Sequence, residues 1–192
     1  IQTQWAKVDN AGITPLSDFS AQKWTSTTGG DFADTGKWSN GLPATGNSAI
    51  ATMPSAGTQT VTLSFDTLIG ALNLEGGSYT FGGSGTLNLN VTADKPGNLQ
   101  GLPEIDVLAG SHTINNNVVF GNSGILTVAA GASLNITGAP SVTIGSLAKR
   151  GDGLAQLPHV RVNSVSVEGG TLRVAENGTA AGTSVVADLS IT

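Results

Sequence analysis

The sequence predicts an all-β solenoid, in which short strands stack coil upon coil around one apolar core. One sequence phrase recurs along the chain. In it, apolar residues alternate with other residues up to a corner that ends in glycine, and the alternation then resumes. It reads LNLEGGSYTF at residues 72–81 and returns at residues 105–114, 126–136 and 165–174. Alternation with a period of two marks a strand with one buried face, and repetition of such a unit is typical of stacked coils.

The corner glycines indicate the length of a coil. Gly77, Gly110, Gly131 and Gly170 are separated by 33, 21 and 39 residues. A coil of about 20 residues makes the second interval one coil and the third interval two coils. The first interval then needs an insertion, which we assign to residues 93–103 because they contain the turn-forming run Asp-Lys-Pro-Gly.

Residues 1–57 differ from the rest of the chain and are interpreted as an N-terminal cap. All three tryptophans, Trp5, Trp24 and Trp38, lie in this segment. The end of a solenoid exposes unpaired strand edges and an apolar core, and tryptophan supplies much apolar area to cover them. The alternative is a row of exposed tryptophans that stack on sugar rings. The coils are assigned to residues 58–192.

Short strands with turn residues between them fill this second region. A second loop is expected at residues 147–158, which contain the run KRGDG at residues 149–153. His112 is expected to point outward. Strands are predicted at residues 60–65, 71–74, 79–81, 86–91, 105–108, 112–114, 118–120, 125–128, 133–136, 142–144, 160–162, 165–167, 171–174 and 185–191.

The last predicted strand carries an apolar pattern up to the end of the sequence. A solenoid rarely stops on an uncovered apolar coil. We therefore expect the solenoid to continue beyond residue 192 or to pair there with another molecule. The residues expected to take part in assembly are Trp5, Trp24 and Trp38 at one end and Val185, Val186, Leu189 and Ile191 at the other.

The amino-acid composition excludes several classes of function and of binding site. Charged residues make up 11% of the 192 residues and the net charge is −5, without a cluster of Lys and Arg that could bind nucleic acid. The absence of cysteine excludes disulfides, thiolate metal sites and a cysteine nucleophile. No apolar run is long enough for a membrane-spanning helix. Because the sequence starts at Ile1, we expect that a preceding segment, such as a signal peptide, was removed.

Few residues of the sequence are candidates for catalysis or metal binding. Glu104 and Asp106 lie two apart in a predicted strand, so their carboxyl groups share a face about 6.5–7 Å apart. Such a pair suits the acid–base chemistry of polysaccharide cleavage, although a solvated strand face explains it as well. His112 and His159, the two histidines, have no partner at metal-ligand spacing. We predict no cofactor and no metal site.

One segment resembles a known family. The run WSNGLPATGNSAI at residues 38–50 is similar to the segment that opens bacterial secreted β-helix proteins of the autotransporter-passenger type, which carry autotransporter-associated β-strand repeats. The Leu-x-Leu-x-Gly-Gly phrases resemble the coils that follow in that family. The resemblance covers about residues 35–192. It implies a right-handed parallel β-helix, export from the cell, and a role in surface display, adhesion or extracellular matrix, and it supplies no catalytic motif.

Together these observations favour a secreted or cell-surface structural protein, such as a filament or matrix subunit or an adhesin stalk, which self-associates through the ends of its β-helix. We expect no enzymatic activity. One alternative is a β-helix that binds or degrades polysaccharide, with a groove near Glu104 and Asp106. The other is a carbohydrate-binding β-sandwich, which would have antiparallel strands and a platform of tryptophans.

Overall fold

The computed structural model describes residues 6–9, 12–15, 21–47, 49–54, 57–91, 102–121, 123–142, 145–175 and 184–192. Its strands are numbered β1 to β21 in chain order. The first two form an antiparallel pair, β1 (Ala6–Asp9) with β2 (Gly12–Pro15). Within the described ranges no α-helix occurs, and a short 3-10 turn spans Thr35–Lys37.

The other strands form three sheets in which all pairs are parallel. The first sheet has eight strands: β3 (Ala21–Lys23), β5 (Ile50–Met53), β8 (Ala71–Leu74), β11 (Glu104–Val107), β14 (Gly124–Val128), β17 (Ser146–Arg150), β19 (Arg161–Val167) and β21 (Val185–Ile191). The second has seven: β4 (Gly30–Asp31), β6 (Thr58–Thr62), β9 (Ser78–Gly82), β12 (Ser111–Ile114), β15 (Ser133–Ile136), β18 (Leu154–Leu157) and β20 (Thr171–Val174). The third has four: β7 (Thr67–Ile69), β10 (Leu87–Leu89), β13 (Val118–Phe120) and β16 (Pro140–Val142).

In every sheet the strands follow one another in chain order, so each coil of the chain contributes one strand to each sheet that it visits. This arrangement is a β-solenoid of about five turns. The predicted all-β solenoid with parallel strands is therefore confirmed. The β-sandwich alternative is wrong, because the pairing between coils is parallel.

Alternation places the core inside the coils. In the first sheet Leu72, Ile105 and Leu126 are aligned on consecutive coils and are fully buried. In the second sheet Phe81, Ile114 and Ile136 form the equivalent buried row. The apolar residues of the repeated phrase are thus the inner rows of the solenoid, and their burial is the main source of its stability.

The predicted corners are glycines with positive φ, as at Gly77 (70°) and Gly110 (87°). Gly110 also has no room for a side chain, because a Cβ there would lie 2.1 Å from the carbonyl oxygen of Gly77 on the preceding coil. Stacked corners of this kind require glycine for both conformation and close approach. Most of the predicted insertion at residues 93–103 lies outside the described residues.

Several strands have the predicted bounds, namely those at residues 71–74, 118–120, 133–136, 171–174 and 185–191. The predicted loop at residues 147–158 is wrong, because these residues contain most of β17 and all of β18, with a tight turn between them. Lys149 interrupts the apolar alternation of β17 and so concealed that strand in the sequence.

The segment interpreted as a cap also contributes strands to the sheets. β3 and β5 are neighbours in the first sheet, and β4 pairs with β6 in the second. The described residues in the range 21–54 are therefore continuous with the stacked coils, whereas β1 and β2 form a separate sheet.

Candidate functional site: the two ends and the polar residues of the coils

An aromatic cluster fills the N-terminal end of the core. Trp24 is fully buried, and Phe32 and Trp38 are each 3% exposed. The rings of Trp24 and Trp38 meet edge to face at 5.2 Å between centroids, and those of Phe32 and Trp38 meet at 4.7 Å. Trp24 Nε1 donates to Gln59 Oε1 at 2.9 Å, so its polar atom is satisfied inside the core. Neither Trp24 nor Trp38 is available to stack on a sugar ring.

The backbone edge of the first sheet is also occupied at this end, next to β3. Residues 37–39 run antiparallel to β3, with an isolated bridge between Trp24 and Trp38. The amide of Thr25 donates to the carbonyl of Lys37 at 2.7 Å, and the amide of Ser39 donates to that of Lys23 at 2.9 Å. These bonds use groups of the first sheet that an added strand would need. Trp5, which was expected to assist assembly here, lies outside the described residues.

The C-terminal end has the opposite character. Leu189 and Ile191 of β21 are aligned with the inward-facing Val165 and Val167 of β19. Val165 is 4% exposed, whereas Leu189 is 61% and Ile191 is 73% exposed. Val174 of β20 and Val185 of β21 are also exposed, at 38% and 54%. Of Val186 only the backbone belongs to the described residues.

The edge strands at this end have one parallel neighbour each. β21 pairs with β19 and β20 pairs with β18, and no described strand lies on their other side. A row of apolar side chains and a row of backbone groups with no described strand partner therefore lie together at the last coil. The combination is the template that a further strand, from any source, would extend.

Lys149 lies inside the solenoid near this end. It is fully buried and aligned with Leu126 and Val167 of the inner row. Its ammonium nitrogen donates to the carbonyls of Arg150 (2.8 Å), Gly151 (2.5 Å) and Gly169 (3.0 Å). These bonds join the corners of two successive coils. Burial lowers the pKa of Lys149, and the nearby Asp152 carboxylate opposes this shift.

The RGD tripeptide of the sequence occupies the corner between β17 and β18. Arg150 forms an ion pair with Glu168 on the next coil, with Nε and Oε2 2.8 Å apart. Gly151 has a φ of 70°, which favours glycine. Its residues thus make a turn and a surface ion pair between coils.

Glu104 and Asp106 point to the outer side of β11, as predicted from their spacing. Thr127 Oγ1 of the next coil donates to Glu104 Oε1 at 2.7 Å. Asp106 Oδ1 is buried and has no hydrogen-bond partner among the described residues. Burial, and secondly the charge of Glu104, raise the pKa of Asp106. Ile125, which is aligned with Glu104, is fully buried, so this part of the outer face is covered.

His112 was expected to point outward, and that expectation is wrong. It lies on the same face of β12 as the buried Ile114, and it is 2% exposed. Its ring stacks on Tyr79 of the preceding coil, with 5.8 Å between ring centroids. The expectation placed His112 and Ile114 on opposite faces, whereas residues two apart in a strand lie on the same face.

The described residues contain no group of three or more His, Asp or Glu side chains that could hold a metal ion. In the same part of the chain there is no helix long and apolar enough to cross a membrane. A comparison with protein-family models finds no match, and searches of curated proteins and of solved structures find none either. The resemblance to autotransporter passengers therefore stays a prediction from the sequence.

Proposed function

We propose that this protein is a structural solenoid of the extracellular space or the cell surface, and that it associates with a second copy through its last coil. The observation that supports this proposal is the exposure of Leu189 and Ile191. These side chains occupy inner-row positions, yet 61% and 73% of their surface is open. In the coil before, the aligned Val165 is almost completely buried.

A second copy suits this edge for two reasons. A coil of the same kind carries the same alternation, so it extends both the apolar row and the backbone ladder. The strands at the edge, β20 and β21, also carry one cation and one anion, Arg173 and Asp188. Two copies that meet there do not repel each other strongly, and opposite charges are available for pairing.

The closed N-terminal end favours contact between two last coils. A head-to-tail contact would need the N-terminal edge, where residues 37–39 already pair with β3 and aromatic rings cover the core. Contact of one surface with itself around a two-fold axis gives a closed dimer, whereas a head-to-tail contact gives an open filament. A closed dimer is therefore the expected species.

The extracellular location is supported by composition and by the resemblance to exported β-helix proteins. Charged residues make up 11% of the chain, whereas about 25% is usual for globular domains. Detection of the protein on intact cells of its source, before and after lysis, tests this part of the proposal. A signal that appears only after lysis contradicts it.

Two variants test association, and each introduces one lysine into β21. One lysine lies on the inner side of the strand and the other on its outer side. Leu189→Lys puts a charge in the apolar row, whereas Ser190→Lys, one position on, faces outward beside Ser166. Sedimentation velocity over a range of concentrations should show dimers for the wild type and for Ser190→Lys, and monomers for Leu189→Lys, because a buried unpaired lysine is costly.

Three results bear on the proposal in different ways. A wild type that stays monomeric at every concentration contradicts self-association. Equal association of the two lysine variants contradicts the last coil as the interface. Long filaments in negative-stain electron microscopy would support assembly but contradict the contact between two last coils.

A polysaccharide-binding or polysaccharide-degrading β-helix is the second candidate. The observation in its favour is the outer carboxyl pair, because a raised pKa at Asp106 beside Glu104 is a property of acid–base sites. Glu104→Gln should abolish polysaccharide cleavage if this candidate is right, and Asp66→Asn, directly before β7 of the third sheet, is a control. Absence of any cleavage or binding by the wild type across a glycan panel would remove this candidate.

A further inference from the structure

Two successive coils are joined in part by hydrogen bonds from side chains, at positions where a regular sheet would use backbone groups. β9 and β12 pair in parallel at Thr80 with Thr113 and at Phe81 with Ile114. Before these pairs the regular ladder is absent, and side chains replace it. The amide of Tyr79 donates to Nδ1 of His112 at 3.1 Å, and Ser78 Oγ donates to the carbonyl of Ser111 at 2.9 Å.

The hydrogen bonds of His112 fix its protonation state. Nδ1 accepts from a backbone amide, so it carries no proton, and Nε2 donates to the carbonyl of Ala109 at 2.8 Å. The ring is therefore neutral, with its proton on Nε2. A second proton on Nδ1 would turn the acceptor into a donor that faces another donor, and the buried amide of Tyr79 would lose its partner.

The surroundings leave no means of accommodating that second proton. His112 is 2% exposed, and its ring is stacked on Tyr79, whose hydroxyl donates to the carbonyl of Pro54 at 2.6 Å. A Cβ at Gly110 would lie 3.1 Å from Nε2, so the corner is closely packed.

Among the described residues, the strands next to β12 bring no charged side chain that would stabilise a cation. Of the two strands that pair with β12, β9 contributes one titratable group, the phenol of Tyr79, and β15 contributes none. Burial, and secondly the charge of Glu75, raise the pKa of Tyr79 to about 12, so the phenol stays neutral. β12 has no other titratable residue, and Glu75 is exposed ahead of β9.

We propose that His112 is an acid-sensitive link between two coils, which holds the second sheet together while its ring is neutral and loosens it when the ring is protonated. The direction follows from linkage. Burial lowers the pKa of His112 in the folded protein, with the hydrogen bond to Ala109 as the opposing cause. The unfolded chain then binds the proton more strongly, so stability is complete above the unfolded value of about 6.5 and falls as the pH falls below it.

Urea unfolding of the whole chain between about pH 7.5 and about pH 5.5 tests this proposal. For the wild type, the unfolding equilibrium constant should rise as the pH falls, by up to about tenfold per pH unit for one proton. His112→Asn keeps an acceptor but cannot titrate, so its rise should be smaller. His159→Gln removes the other histidine and should keep the wild-type dependence. Equal pH dependence of the wild type and His112→Asn would overturn the proposal.

A measurement on the wild type covers the case in which His112→Asn fails to fold. Nuclear magnetic resonance of the imidazole should show His112 with its proton on Nε2 and a titration midpoint below about 6.5. The amide of Tyr79 should lose protection from exchange as the ring titrates, after correction for the intrinsic exchange rate. A midpoint at or above that value, or unchanged protection of the amide, would overturn the proposal.

Discussion

The two ends of the described solenoid solve the same physical problem in different ways. At the N-terminal end, Trp24 and Trp38 are buried against each other and residues 37–39 pair with the edge of β3. At the C-terminal end, the inner-row residues Leu189 and Ile191 are exposed and β21 has a neighbour on one side. The ends differ in both aspects of closure, which are burial of side chains and pairing of the backbone.

The comparison shows that the closed end needs both devices together. Aromatic area alone would cover the core but leave unpaired amides and carbonyls at the edge. A paired strand alone would satisfy the backbone but leave the core open to water. Trp38 serves both needs, since its ring packs on Trp24 and Phe32 while its backbone lies in the antiparallel bridge.

The largest expected effect comes from opening the closed end. Trp24→Ala removes a fully buried ring and its hydrogen bond to Gln59, so it should lower the free energy of unfolding by about 3–5 kcal/mol. Urea unfolding followed by circular dichroism measures this loss. Phe65→Ala is the control, because Phe65 is 72% exposed, and its effect should stay within about 0.5 kcal/mol. Similar losses in both variants would contradict the assignment of Trp24 to the core.

A smaller loss of stability is expected when Lys149, which lies near the open end, is substituted. Lys149→Met keeps the length of the side chain but removes the donor shared by three carbonyls of two corners, so it should lower the free energy of unfolding by about 2 kcal/mol. Unchanged or increased stability would mean that the cost of burying the ammonium exceeds the value of its hydrogen bonds.

The neighbouring Arg150 provides the matched control for that variant. Its ion pair with Glu168 is partly exposed, with 32% and 38% of the two side chains accessible. Arg150→Met should therefore lower the free energy of unfolding by about 1 kcal/mol or less. The contrast between two adjacent residues separates the buried cross-coil bonds from the surface ion pair.

Sequence alone predicts the stacked coils well and their polar interior poorly. Rows such as Leu72, Ile105 and Leu126 are visible as alternation because their burial depends on apolarity alone. Lys149 and His112 also occupy inner positions, but their burial depends on acceptors or donors supplied by another coil. Such partners are not adjacent in sequence, so the pattern assigns these residues to a loop and to the surface.

The two ends of the solenoid are also predicted only in part from the sequence. An aromatic-rich first segment is evident from the sequence, whereas the pairing of residues 37–39 with β3 depends on a reversal of the chain that no periodicity records. The exposed last strand could be predicted from its alternation and its place in the chain. Either a continuation of the solenoid or a second molecule would cover this strand.

Hydrogen–deuterium exchange at low and high protein concentration tests most directly whether the N-terminal end is closed and the C-terminal end forms the contact. Protection in β20 and β21 should increase with concentration, while protection in β3 and residues 37–39 should be high at both concentrations and unchanged. Protection that is independent of concentration at both ends, or that increases at the N-terminal end instead, would contradict this difference between the two ends.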